Sequence, residues 1–211
     1  MYVYPINGEQ IVRIRQAKWG NADCRSPNFS NRYGQFTWEC AKALSTYIVN
    51  NIYLVEGRHI LELGAGTGLC GLVAGRCGAS SVTFSDNDVQ IHTYLLRNAT
   101  INKIAQCNFL LLDWNYPTRN WQRQTFDVIL AADTLFDKEV YEPFFRTLSL
   151  LLHSNPDAFC LLSVETRSTL TSIPVLMKKY FLQCLPESNP GSRFHSVQIY
   201  RVRAKSSIQA V

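Results

Sequence analysis

The feature that most constrains the fold is the stretch 59–71, in which an apolar run leads into closely spaced glycines and then into small and apolar residues. Gly64, Gly66 and Gly68 let the backbone turn tightly and approach a ligand, because glycine has no Cβ. The run before them predicts a buried strand, and the residues from Leu69 onwards predict a helix. This order is typical of a loop that binds a nucleotide-type cofactor. The alternative is an ordinary strand-to-helix turn.

The spacing of the glycines argues against NAD as the cofactor. The dinucleotide fingerprint needs its third glycine at position 69, where this chain has leucine, and an acid, Glu62, lies two residues before the first glycine. This departure favours S-adenosylmethionine.

Length and composition allow one sizeable core, since 46% of the 211 residues are hydrophobic. We expect an N-terminal hairpin and loop extension over 1–36, one domain over 37–205 and a tail over 206–211. Nothing resembles a signal peptide, and no apolar run reaches the roughly 18 residues that a membrane span needs. We therefore expect a soluble cytoplasmic or nuclear protein without a membrane partner, and we expect a monomer.

Cysteine, histidine and charge patterns argue against two kinds of site. The seven cysteines and four histidines show no metal-ligand spacing, so we expect reduced thiols and no metal. The net charge of +5 is modest and the basic residues are scattered. Nucleic acid is therefore not expected as a direct substrate.

The first fifty residues predict a hairpin, a loop and a helix. Apolar residues alternate on both sides of Asn7 and Gly8, which is a strong hairpin signal. Residues 17–34 have little periodicity and predict an irregular loop. An amphipathic pattern then predicts a helix over 39–50, with Thr37 as its N-cap.

The rest of the chain alternates strands and helices, which predicts an α/β fold. We expect strands over 60–63, 81–85, 107–112, 126–132 and 158–164, helices over 69–78, 89–102, 138–153 and 169–182, and a final strand over 196–202, antiparallel at the edge or beside the fifth strand. Most of the strands are followed by an acid, namely Asp86, Asp113, Asp133 and Glu165. Since ligands bind outside the carboxyl ends of such strands, we expect the site there.

Two interpretations are open for each of three residues, Asp86, Trp114 and Trp38. Asp86 follows the glycine loop by about the 20 residues at which an acid binds the ribose hydroxyls of an adenosine cofactor, or it caps the next helix, for which Asp88 is better placed. Trp114 contacts adenine or belongs to the core. Trp38 has the same two interpretations.

The glycine loop, Asp86, Trp114 and the helix that starts near Trp38 together resemble the family 16 seven-β-strand methyltransferases, which methylate proteins. The resemblance covers nearly the whole chain. It implies a Rossmann-like seven-stranded sheet with helices on both faces, S-adenosylmethionine as the cofactor and S-adenosylhomocysteine as the product. The implied cofactor site contains Trp38, Gly64, Ala65, Gly66, Asp86, Trp114 and Ala132, with Glu62 supporting the loop.

The resemblance also implies that Asp133 faces the acceptor. Lysine-methylating members carry Asp-x-x-Tyr where this chain has Phe136 as the last residue, and the related branch is associated with arginine methylation of histone. The acceptor is therefore an arginine, on histone for example, or a lysine. A histone, a chaperone or a translation factor is the type of protein substrate that the family suggests.

Two carboxylates are candidates for catalysis on chemical grounds. A lysine must lose its proton before attack, and Asp133 could accept a hydrogen bond from the amine. An arginine stays charged and favours carboxylates around its planar head group, to which Glu165 could add a second one. The alternative is that Glu165 pairs with Arg167 at the surface.

Other functions remain open at this point. Nucleic-acid N-methyltransferases commonly carry two prolines before an aromatic residue at the end of the fourth strand. Residues 133–136 end in an aromatic residue, Phe136, but contain neither proline. A small-molecule methyltransferase and a non-catalytic protein that binds the cofactor and a partner are the further alternatives.

Overall fold

The computed structural model describes residues 1–7, 10–16, 30–117, 124–166, 172–187 and 192–205. The strands in these ranges are β1 (Tyr2–Asn7), β2 (Gln10–Ile14), β3 (His59–Leu63), β4 (Ser81–Asp86), β5 (Cys107–Leu111), β6 (Val128–Ala132), β7 (Phe159–Glu165), β8 (Leu182–Pro186) and β9 (Val197–Ala204). The helices are α1 (Glu39–Asn50), α2 (Leu69–Arg76), α3 (Val89–Ile101), α4 (Lys138–Ser154) and α5 (Ile173–Lys179), with a 3-10 helix over Ser30–Gln35. Most of the predicted loop 17–34 and the tail 206–211 lie outside the described residues.

Seven strands form the central sheet, in the order β5-β4-β3-β6-β7-β9-β8. Strands β3 to β7 pair in parallel, whereas β9 is antiparallel to both β7 and β8. The predicted α/β class and seven-stranded sheet are confirmed, and the final strand lies beside the fifth parallel strand. The strand order reverses between β3 and β6, so the crevice for a ligand opens after Leu63 and Ala132.

Strand β8 is absent from the sequence-based prediction, which extends a helix to residue 182. The structure ends α5 at Lys179, and Phe181 has a φ of 53°, a left-handed conformation that a helix does not contain. The chain then pairs with β9 as a short edge strand, in which Leu182 is buried and Leu185 is 59% exposed. The start of the predicted helix, 169–171, lies outside the described residues.

Helices pack on both faces of the sheet, as predicted. Neighbouring residues of β3 point to opposite faces, so Ile60 joins the core that α1, α2, α3 and the hairpin cover, and Leu61 joins the core that α4 and α5 cover. Phe144 and Phe145 of α4 are fully buried in the second core. Burial on both faces explains why the central strands β6 and β7 are nearly continuous apolar runs in the sequence.

The N-terminal hairpin is confirmed, with β1 antiparallel to β2. Two asparagines, Asn98 in α3 and Asn102 at its C-cap, hold the backbone of β2 and of the residue that follows it. The side-chain amide of Asn102 accepts from the backbone N–H of Arg13 at 2.8 Å and donates to the Arg13 carbonyl at 2.7 Å. The side-chain amide of Asn98 likewise accepts from the backbone N–H of Arg15 at 2.8 Å and donates to the Arg15 carbonyl at 3.2 Å. These bonds replace the strand partner that the free edge of β2 lacks there. Gly8 lies outside the described residues.

The starts of two helices differ in how well the sequence predicts them. Asp88 caps α3, since its carboxylate accepts from the N–H of Gln90 at 2.8 Å. The prediction of Thr37 as the cap of α1 is wrong: Trp38 occupies the N-cap position without a side-chain cap, and the Thr37 hydroxyl lies 2.9 Å from that of Thr67 in the glycine loop. Across the described ranges, no helix is long and apolar enough to span a membrane.

Candidate functional site

A cavity of about 540 Å³ opens at the carboxyl ends of the parallel strands. Its volume lies in the usual range of small-molecule sites. Every residue that the resemblance assigned to the cofactor lines this cavity. Asp133, the carboxylate expected to face the acceptor, lines it as well. These lining residues are Trp38, Glu62, Gly64, Ala65, Gly66, Asp86, Trp114, Ala132 and Asp133.

The glycine loop at the floor of the cavity has little room for a side chain at Gly64 or Gly66. Gly64 and Gly66 have φ values of 60° and 50°, which favour glycine. A Cβ on Gly64 would lie 3.1 Å from the Thr134 methyl group, and one on Gly66 would lie 2.9 Å from the carbonyl oxygen of Gly34. At these two positions the loop therefore presents bare backbone, between the segment after β6 on one side and the 3-10 helix on the other.

Asp86, at the end of β4, holds this loop. One carboxylate oxygen accepts from the N–H of Gly66 at 3.0 Å, and the other accepts from the N–H of Asp88 at 3.1 Å. Burial raises the pKa of Asp86, although the backbone N–H groups oppose the rise. The residue also lines the cavity, and a carboxylate oxygen has a second lone pair for a ligand hydroxyl.

Glu62, in β3, supports the loop from below. It is only 3% exposed, and its carboxylate accepts from the N–H of Gly71 at 2.9 Å, at the start of α2. Its carbonyl oxygen accepts from the Ser85 hydroxyl at 2.8 Å, which ties β3 to β4. Burial raises the pKa of the Glu62 carboxyl to about 8, and the bonds from Gly71 and Cys70 only partly offset this rise.

Trp114 combines the two interpretations that the sequence left open. Its ring lines the cavity and packs edge-on against Phe144 in α4, with the ring centres 5.2 Å apart. Its carbonyl oxygen accepts from the Arg146 guanidinium at 3.0 Å. The ring is thus fixed by α4 and presented to the cavity.

Asp133, directly after β6, has an unusual backbone. Its φ is 55°, and its N–H donates to the carbonyl of Ser163 in β7 at 3.0 Å. Left-handed conformations in non-glycine residues cost energy and occur often at functional sites. The next residue, Thr134, lines the cavity and is 3% exposed, and its hydroxyl is buried without a hydrogen-bond partner in the described residues.

Glu165 is not among the described residues that line the cavity. It ends β7 and pairs with Val197 of β9, on the far side of β7 from β6. Arg167, its alternative partner, lies outside the described residues. A catalytic role for Glu165 therefore stays a prediction.

Several lining residues were not singled out from the sequence. These are Tyr33, Phe36 and Thr134. Phe136, which the sequence marked only as standing in place of a tyrosine, also lines the cavity, and its ring packs against that of Tyr33. The run Tyr33 to Trp38 is rich in aromatic residues, which was a visible signal. The hydroxyl of Thr134 gave no signal, because an unpartnered buried group is a property of the packed structure alone.

Comparison with known proteins points to one family. The family model described as lysine methyltransferase matches residues 26–184. The chain is 29% identical over 187 residues to the histone-arginine methyltransferase METTL23 of Rattus norvegicus, which covers 84% of this chain and 83% of the relative. It is 31% identical over 162 residues to the calmodulin-lysine N-methyltransferase of Arabidopsis thaliana, which covers 72% of this chain and 53% of that protein.

A solved structure supports the fold assignment. The ribosomal protein L11 methylase of Lactobacillus delbrueckii subsp. bulgaricus superposes with a TM-score of 0.64 at 18% identity, covering 98% of this chain and 100% of the other. At that identity the likeness concerns the fold. The cavity thus lies at the carboxyl edge of a methyltransferase sheet.

Proposed function

We infer that this chain, which belongs to the lysine methyltransferase family, uses the cavity after β3 and β6 to transfer a methyl group to an arginine side chain of a protein. The reaction class and the cofactor follow from the family: the chain is an S-adenosylmethionine-dependent protein methyltransferase. The assignment of individual residues and the choice of arginine are the proposal.

The observation that carries the residue assignment is the meeting of Asp86, the glycine loop and Asp133 around one cavity. Asp86 would bind the ribose hydroxyls, Trp114 and Trp38 would contact the apolar parts of the cofactor, and the backbone at Gly64 and Gly66 would lie against its amino-acid portion. Ala65 and Ala132 would line the site, and Glu62 would hold the loop in place.

The cofactor supplies a methyl group that is already activated by a sulfonium, so the protein needs to align the acceptor and exclude water. Asp133 would accept hydrogen bonds from the guanidinium N–H groups and direct one nitrogen towards the methyl group. The proton that the nitrogen releases would pass to solvent or to this carboxylate. Phe136 follows three residues later and brings no hydroxyl to the acceptor.

Two observations support arginine rather than lysine. Phe136 stands where the lysine-methylating members carry tyrosine, and the relative METTL23 is named a histone-arginine methyltransferase. Lysine remains an outcome of the test, because another relative is named a calmodulin-lysine methyltransferase. We further propose a monomer of the cytoplasm or the nucleus that acts on a histone-type substrate.

The test is transfer of label from tritiated S-adenosylmethionine to purified core histones and to an extract of the organism's own cells. Labelled protein sites are identified by mass spectrometry. We expect methylarginine in a protein. Methyllysine would correct the acceptor, and label on nucleic acid or small molecules alone would refute the proposed function. The Asp133→Asn variant is the control for transfer by a contaminating enzyme.

A further inference from the structure

Three aromatic rings from different parts of the chain meet at the mouth of the cavity. Tyr33 lies in the 3-10 helix, Trp38 at the start of α1 and Phe136 in the segment after β6. The Tyr33 ring centre is 5.7 Å from that of Phe136 and 6.1 Å from that of Trp38, with interplanar angles of 46° and 52°. The three rings therefore form one contiguous, inclined group at the cavity rather than a parallel stack.

This arrangement is held in place but is not buried. The Trp38 indole N–H donates to the carbonyl of Tyr33 at 3.1 Å, and the neighbouring Gly34 packs against Gly66. Phe136 is nevertheless 51% exposed and Tyr33 37% exposed. Core packing does not explain a group of rings that keeps so much apolar surface open next to a cavity, whereas a ligand that covers them does.

The charge of the cavity indicates what kind of ligand the rings receive. Its described lining contains five carboxylates, from Glu62, Asp86, Asp88, Asp113 and Asp133, and no lysine or arginine. Burial raises the pKa of Glu62 to about 8, so this carboxyl is largely neutral at pH 7. The other four carboxylates still give the lining a negative charge. Aromatic faces attract cations, with ring-to-cation distances up to about 6 Å.

We propose that Tyr33 and Phe136, together with Trp38 at the boundary with the cofactor site, form an aromatic cage that holds the cationic head group of the acceptor side chain beside Asp133. This inference rests on the proposed function, which it deepens by assigning the recognition of the acceptor. The cage selects a planar guanidinium, which stacks on a ring while its edge donates to a carboxylate. It distinguishes the charged head group from a neutral one of the same shape.

The cage can be tested with the head group alone. Methylguanidinium and its neutral counterpart N-methylurea are titrated against the protein, both free and loaded with S-adenosylhomocysteine, and the aromatic ring protons are followed by NMR. We expect methylguanidinium to shift the rings of Tyr33 and Phe136, and N-methylurea to bind at least about fivefold more weakly. Equal binding of the two compounds would overturn the cage.

Variants connect the cage to turnover. Tyr33→Leu and Phe136→Leu should each raise the KM for the protein acceptor by about fivefold and leave the affinity for S-adenosylhomocysteine within twofold. Phe136→Tyr keeps an aromatic ring and should leave the KM for the acceptor near that of the wild type. Tyr53→Leu is the matched control, since Tyr53 is 66% exposed and does not line the cavity. Unchanged KM values in both leucine variants would overturn the aromatic cage. The proposed function would still hold in that case if the wild type transfers the methyl group to a protein arginine. Absence of S-adenosylmethionine binding would refute the proposed function, and the titration of the free protein would still decide the cage.

Discussion

The carboxylate of Asp86 accepts a hydrogen bond from the backbone N–H of Gly66 at 3.0 Å, across 20 residues of sequence. The bond joins the end of β4 to the loop after β3, and both residues line the cavity. The acid that the sequence assigned to a ligand therefore also shapes the loop that would bind the same ligand. On its other side Gly66 touches Gly34, so the loop is confined from both directions.

Gly66→Ala should reduce both stability and cofactor affinity. Alanine at a φ of 50° is strained by about 1 to 2 kcal/mol, and its Cβ would lie 2.9 Å from the carbonyl oxygen of Gly34. We expect at least about a tenfold loss in affinity for S-adenosylmethionine, measured by calorimetry, because the loop must shift. Gly57→Ala is the control, since Gly57 has a φ of 70° and nothing within 4 Å of its would-be Cβ. It should lose stability through strain alone, and a similar loss of affinity in both variants would contradict the role of the loop.

The sequence predicts the elements that carry their own periodicity or chemistry. The buried parallel strands, α1, the cap at Asp88 and the glycine loop are each visible in a few neighbouring residues. The errors concern features that depend on distant partners. Thr37 has the residue type of a cap but bonds Thr67 instead, and β8 exists because β9 pairs with it.

The site shows the same difference between local features, which the sequence predicts, and contacts between distant residues, which it does not. The resemblance places nine residues around the cavity, but the aromatic cage needs Tyr33 and Phe136, about a hundred residues apart in sequence, to meet at 5.7 Å. Glu165 shows the opposite case. It ends a strand as Asp133 does, but β7 lies one strand farther from the switch point than β6, and the residue is not among the described lining.

Asp133→Asn should stop methyl transfer and leave cofactor binding intact. Asparagine tolerates the φ of 55° at least as well as aspartate, so the variant removes the charge without adding backbone strain. We expect kcat to fall by about a hundredfold or more, because the acceptor loses the carboxylate that orients it. Steady-state kinetics with the labelled cofactor measure the rate, and calorimetry measures the affinity. Unchanged turnover would remove Asp133 from the acceptor site.

Thr134→Val should separate stability from ligand binding. The Thr134 hydroxyl is buried without a partner in the described structure, so valine of the same shape should leave the free energy of unfolding equal or higher. If the hydroxyl bonds the cofactor, affinity should fall by about fivefold, which corresponds to one ordinary hydrogen bond of about 1 kcal/mol. Ser163→Ala is the contrast, because the Ser163 hydroxyl already donates to the carbonyl of Cys40 at 3.0 Å. That variant should lose stability and keep its affinity.

Glu62 should make the stability of the protein fall as the pH rises from about 5 to 8. Its pKa is raised from 4.5 to about 8 by burial, so over this interval the folded carboxyl keeps a proton that the unfolded one has released. The folded state then binds more protons than the unfolded state, and its free energy of unfolding decreases with pH. Below about 4.5 both states are protonated, and above about 8 both are charged, so the dependence levels off at each end.

Glu62→Gln isolates this effect. Glutamine keeps an oxygen that can accept from the N–H of Gly71 and cannot ionise, whereas the raised pKa of Asp86 is present in both proteins and cancels in the comparison. Urea denaturation at several pH values gives the difference in the free energy of unfolding between wild type and variant. This difference should favour the wild type most at pH 5 and decline steadily to pH 8. A difference that is constant over this range would mean that the Glu62 carboxyl ionises at its ordinary pKa despite its burial beneath the glycine loop.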